Sequence, residues 1–200
     1  MTTRRNLLLG VTLVAAAPKK TAHKEEDVSP GEDLMREHGL LNRVLLIYEE
    51  CVRQKNTRTI GAAAAIIRDF IEGYHEKLEE EFLFPRLEKA DKLADLTATL
   101  RKQHARGRDI TAQLIAGGGD VPQLVAKFIR MYRPHEARED TILFPAFHEL
   151  VGDKEYERLG DKFEDREHQL FGEKGFEGKV DEVAQIERQL GIYDLAQFTP

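Results

Sequence analysis

Apolar residues recur along this chain at alternating spacings of three and four, the period of an amphipathic helix, in four successive blocks. The first block sets Leu34, His38, Leu41, Leu45, Tyr48 and Val52 on one seam. Ser29-Pro30-Gly31-Glu32 ahead of it is a capping box with proline at the first helical position, so a helix starts there. The polar stretch 54–59 predicts a loop. A second helix runs from about Thr59 to Phe84, with Ile67, Ile71, His75, Leu78 and Phe82 on one stripe, and stops at Leu83-Phe84-Pro85. A third, from about Asp91 to Ala116, aligns Leu93, Leu100, His104, Gly107, Thr111 and Leu114. Gly107 would let a neighbouring helix or a small ligand come close. Gly117-Gly118-Gly119 ends that helix and Asp120 caps a fourth, whose seam is Leu124, Phe128, Met131, His135 and Ile142. Pro134 predicts a kink in the fourth helix or a break into two. No stretch reads as a strand. The expected fold is all-α: an antiparallel four-helix bundle with short loops.

Beyond Pro145 the pattern changes. Residues 153–171 and 180–190 predict two further helices, separated by the glycine-marked stretch 172–178, which pack outside the bundle. The chain thus divides into residues 1–29, 30–150 and 151–200. The first of these opens Thr3-Arg4-Arg5-Asn6-Leu7-Leu8 and continues as an apolar run to Ala17. That run is about eleven residues, shorter than the roughly 20 of a membrane span. It resembles a bacterial twin-arginine signal, which implies export to the periplasm of a protein already folded around its cofactor. An ordinary secretory signal or an uncleaved anchor are the other readings of the same segment, since Pro18 directly follows the small residues Ala15-Ala16-Ala17.

Charge narrows the partners. Setting aside residues 1–29 removes five of 30 basic and three of 36 acidic residues, which leaves 25 against 33 and a net charge near −8. That balance argues against nucleic acid or an anionic membrane surface as partner. A single cysteine, Cys51, excludes an internal disulfide and a cysteine-rich metal cage, and reads as a small buried apolar residue. The sequence does not fix an oligomeric state.

The chemistry lies in a repeat. Tyr74-His75-Glu76-Lys77-Leu78-Glu79-Glu80-Glu81-Phe82-Leu83-Phe84-Pro85 returns sixty residues later as Pro134-His135-Glu136-Ala137-Arg138-Glu139-Asp140-Thr141-Ile142-Leu143-Phe144-Pro145, with six of twelve positions identical. In each copy a histidine and the glutamate four residues on share one helix face. With His38 and His104, each of the four helices carries one histidine in mid-seam. A lone histidine there is ordinarily a core residue; four in register with two carboxylates, Glu79 and Glu139, point to a dinuclear metal site. Glu76, Glu80 and Glu81 project elsewhere and read as a solvated face, while His148 and His168 read as structural or surface residues. Imidazole and carboxylate without thiolate suit iron, manganese or zinc. Bridging glutamates and four histidines fill eight of roughly twelve positions around two octahedral ions. Water, hydroxide or a bridging oxide fills the rest and leaves room for a small molecule.

The set His38, His75/Glu79, His104, His135/Glu139, with two Leu-Phe-Pro segments, resembles the hemerythrin-like (HHE cation-binding) family over about residues 30–150. The resemblance implies a four-helix bundle holding two non-haem iron ions that bind or react with oxygen, nitric oxide or peroxide; manganese and zinc rank behind iron. Two departures stand out. Oxygen-carrying members have a second histidine four residues along the third helix, where this chain has Arg108, and this puts reversible oxygen carriage in doubt. They take the last carboxylate from the position of Asp140, whereas the internal repeat favours Glu139. Three other functions compete: metal storage without turnover, a helical interaction module whose histidines and glutamates merely pair, and a zinc hydrolase, disfavoured because no His-Glu-x-x-His is present.

Overall fold

The computed structural model describes residues 28–199. The twin-arginine-like start, the apolar run to Ala17 and His23 lie outside them. Every regular element among the described residues is helical. Helix α1 is Pro30–Gln54, entered through the capping box that Ser29 and Glu32 were expected to make. Lys55 closes it in the left-handed region, and Asn56 caps the next helix by accepting from the Thr59 amide. Helix α2 covers residues 57–89, α3 is Ala94–Ile115, and α4 covers residues 121–151. These four form a ring: α1 and α3 each pack against both α2 and α4. Short connections make successive neighbours antiparallel.

The apolar seams fill the ring. Leu41, Leu45, Tyr48, Ile67, Ile71, Leu78, Leu100, Leu114 and Phe128 are all buried, and Tyr48 meets Phe128 edge-on at 5.7 Å. Two expected seam members fall outside. Ile142 is 44% exposed. Leu93 precedes α3 at φ 56, in the bend that turns the chain, because α3 begins at Ala94 rather than near Asp91.

Neither Leu-Phe-Pro segment stops its helix, contrary to the sequence reading. Both helices widen instead. Glu79–Leu83 and Glu139–Leu143 are π-helical, and the amides of Phe84 and Phe144 reach back five residues to the carbonyls of Glu79 and Glu139. A proline lacks the amide hydrogen and its ring collides with the carbonyl four residues earlier. Widening the turn by one residue moves that carbonyl away, so α2 continues to Lys89 and α4 to Val151. Pro134 is likewise carried inside the unbroken Val121–Arg138 segment rather than splitting it.

Helices α5 (Asp153–Phe171) and α6 (Gly175–Leu190) lie outside the ring against α1, with α6 also touching the start of α2. The second begins five residues earlier than its apolar pattern suggests. Phe70 and Tyr74 pack on Phe171, the Tyr74 hydroxyl donates to the Phe163 carbonyl at 3.2 Å, and Arg43 pairs with Glu187. No helix among the described residues is long and apolar enough to cross a membrane.

Candidate metal centre

Each helix of the ring delivers its histidine to the same level. His38, His75, His104 and His135 are all buried, at 3% exposure or less. They associate in two pairs: Nε2 of His38 lies 3.0 Å from Nε2 of His75, and Nε2 of His104 lies 3.3 Å from Nε2 of His135. Two nitrogens bound at about 2.1 Å to one ion sit roughly 3.0–3.4 Å apart at octahedral to tetrahedral angles. Both pairs have that spacing.

Between the pairs stand two carboxylates with no exposure at all, Glu79 and Glu139. Glu79 Oε2 is 3.7 Å from His75 Nε2 and 3.5 Å from His104 Nε2. Glu139 Oε2 is 3.4 Å from His38 Nε2, and its Oε1 is 3.0 Å from His135 Nε2. Each glutamate therefore touches both pairs. Their four oxygens have no hydrogen-bond donor, a state that costs about 1–3 kcal/mol for each buried acceptor. Glu79, His104, His135 and Glu139 bring one ligand atom each to within 4.8 Å of the others, as do His38, His75 and Glu139. Cations among these atoms would give the unpartnered carboxylates of Glu79 and Glu139 a partner.

The matching family description is hemerythrin HHE cation binding domain, over residues 29–147. The chain belongs to the hemerythrin HHE family. Membership implies a divalent metal site, and the buried histidine–glutamate clusters fit one. The chain is also 48% identical to proteins of Mycobacterium bovis and of two Mycobacterium tuberculosis strains, all three named as uncharacterized. Those matches cover 92% of this chain and 78% of each relative. No solved structure matches.

Around the HHE core runs a second layer that the sequence reading missed. Each histidine directs its Nδ1 outward to one acceptor: His38 to Asp140 at 2.7 Å, His75 to Glu37 at 2.6 Å, His104 to Glu80 at 3.1 Å and His135 to Gln103 at 2.9 Å. Such partners fix the ring and leave Nε2 free for a cation. Asp140, weighed as an alternative to Glu139, thus lies on the outer nitrogen of His38 and not between the pairs.

The layer repeats with the sequence. Glu80 and Asp140 both stand five residues after a repeat histidine, and Glu37 and Gln103 both directly precede a helix histidine. Phe84 stacks on His104 and Phe144 on His38, each at 5.6 Å, so the two Leu-Phe-Pro segments cover opposite halves. Glu76 and Glu80 are not on a solvated face. Glu76 is 1% exposed, accepts from the Tyr132 hydroxyl at 2.6 Å and faces Arg108 at 2.6 Å, while Glu80 pairs with Lys77 and Arg108. Tighter hydrogen-bond periodicity fails in the π turns, where the smaller rotation per residue lets two consecutive positions, Glu79 and Glu80, face inward. Glu81 is exposed, as expected. Close approach at Gly107 comes from α4: the Tyr132 hydroxyl occupies the space a Cβ would need. His148, stacked on Tyr156, and exposed His168 stay outside the centre.

The groups of the cluster shift one another. Burial and the adjoining Glu139 push Glu79 well up. Burial also works upward on Glu139, but His135 and His38 outweigh it and hold it well below the usual range. His38 behaves in the opposite sense: burial opposes its charge, yet Asp140 and Glu139 raise it to about 9. His75 is driven well down by burial and by His38 beside it.

Proposed function

We propose that this HHE protein holds two non-haem iron ions and binds or reacts with oxygen, nitric oxide or peroxide outside the cytoplasm. One observation carries the reading: four donor-less carboxylate oxygens of Glu79 and Glu139 lie between two histidine pairs of ligand spacing. His38 and His75 would hold one ion and His104 and His135 the other, with Glu79 and Glu139 shared. Two adjacent iron ions supply paired one-electron changes and coordination positions that the protein leaves to a small molecule. The chain's own part is to fix the four rings through their outer nitrogens, to exclude water with Phe84 and Phe144, and to keep the acidic pair dry.

Iron ranks above zinc because an all-nitrogen and oxygen set with shared carboxylates suits a redox pair, and manganese follows. Export rests on the twin-arginine-like start, a route suited to a chain that acquires its metal before crossing. Anaerobic loading with ferrous iron, followed by admission of air, tests the function. The proposal expects two irons per chain and new near-ultraviolet charge-transfer bands. Metal uptake with no response to oxygen, nitric oxide or peroxide would instead favour storage, and absence of uptake refutes the reading.

A further inference from the structure

The internal repeat makes the two halves of the centre alike in architecture but not in charge. Around His38 and His75 stand three carboxylates. Glu37 accepts from His75, Asp140 accepts from His38, and buried Glu136 accepts from the neutral amide of Asn42 at 3.0 Å. Among the described residues, no lysine or arginine forms an ion pair with any of the three. Around His104 and His135 the same positions are filled differently. Gln103, an amide, takes the place of Glu37. Arg108 takes the place of Asn42 and lies 2.6 Å from Glu76, the counterpart of Glu136. Glu80, the counterpart of Asp140, is neutralised by Lys77 at 2.6 Å and Arg108 at 2.8 Å.

A ring N–H donated to a carboxyl oxygen that no lysine or arginine shares makes the opposite nitrogen a stronger donor than one donated to an amide or to an already paired carboxylate. Glu37 on His75 against Gln103 on His135 therefore favours the His38/His75 half. We infer that the two cation positions are unequal, and that the His38/His75 position is the tighter and fills first. Glu37 and Gln103 act as positioning residues that set this order. The inference rests on the dinuclear reading above.

Two resolved binding steps alone would not decide it, because the second cation meets the charge of the first even in a symmetrical site. The deciding comparison is between proteins left with one half each. His135→Gln leaves the His38/His75 half and His75→Gln leaves the other. Cobalt(II), a divalent probe for nitrogen and oxygen ligands, is titrated into each metal-free full-length chain and followed by its visible absorption. The expected result is binding at least about tenfold tighter in His135→Gln than in His75→Gln. Adding Glu37→Gln to the first should weaken it about 10–100-fold, and adding Gln103→Glu to the second should tighten it by a similar factor. Equal halves, reversed order, or no effect of either added substitution overturns the inference while two cobalt ions per wild-type chain still uphold the dinuclear reading. A wild-type chain that takes up no cobalt removes that reading, and the inference with it.

Discussion

Replacing Glu79 with glutamine is the most informative single change, because the substitution keeps shape and burial while removing the capacity to ionise. Burial and Glu139 raise the Glu79 carboxyl well above its usual range and so disfavour its charged form. Glutamine supplies a neutral group of the same shape, so the stability in chelator should stay within about 1 kcal/mol of wild type. Metal changes the comparison. A cation at one hundred times its dissociation constant stabilises the wild type by about 2.7 kcal/mol, which for a chain of this size raises the melting temperature by roughly 5–11 °C. Loss of a shared ligand weakens binding at least as much as loss of a supporting partner, about a hundredfold. At the same metal concentration the variant then gains only about 0.4 kcal/mol, a shift of roughly 1–2 °C. Thermal unfolding in chelator and in excess cobalt(II), side by side for both proteins, measures this. The reasoning is refuted if Glu79→Gln loses several kcal/mol in chelator, since Glu79 would then be a satisfied structural residue. It is refuted equally if the variant keeps the full metal shift.

Three other outcomes follow from the same geometry. Gly107→Ala would drive a methyl group into the Tyr132 hydroxyl and should cost about 1–3 kcal/mol in urea unfolding; adding Tyr132→Phe should recover part of the loss, because the closest atom is gone. The pH dependence of the metal-free protein has a defined sign between pH 7 and 9. Against burial, Asp140 and Glu139 raise His38 to about 9, while burial raises Glu76 to about 8. Both folded-state values exceed their unfolded ones, so the folded protein holds more protons and stability falls as pH rises through that window; urea midpoints in chelator should drop from pH 7 to pH 9 and drop less in Glu76→Gln. Ser29→Ala removes the half of the α1 capping box in which the Ser29 hydroxyl accepts from the Glu32 amide, leaving the Glu32 carboxylate on the Ser29 backbone N–H, and should lower stability by about 0.5–2 kcal/mol with cation affinity unchanged, as measured by thermal unfolding and cobalt titration.

The four-helix ring and the positions of its histidines were legible because both depend on local periodicity. A seam of three-four spacing states which face is buried, and the repeat shows that two helices carry the same chemistry. Glu79 and Glu139 were legible for the same reason, four residues from a histidine on one face. What lay beyond reach depended on departures from the regular helix and on contacts across the ring. Glu76 and Glu80 read as a solvated face from the sequence; Glu80 lies in the π turn Glu79–Leu83, and Arg108 and Tyr132 from the neighbouring helices partner Glu76. A trace existed in the repeat itself, which keeps a glutamate directly after each histidine and an acid five residues after it. Glu37 and Gln103 gave no such signal alone, because their role is defined by His75 and His135 on the neighbouring helices. Leu-Phe-Pro read as a stop because proline ordinarily ends a helix; here one extra residue in the turn absorbs the conflict instead.

The central claim is a pair of iron ions between these two histidine pairs. Iron content and the optical spectrum of the full-length chain, loaded anaerobically with ferrous iron and then opened to air, test it most directly. The account predicts two iron atoms per chain and near-ultraviolet bands that appear only after air enters. One iron or none, or a spectrum that air leaves unchanged, would contradict it.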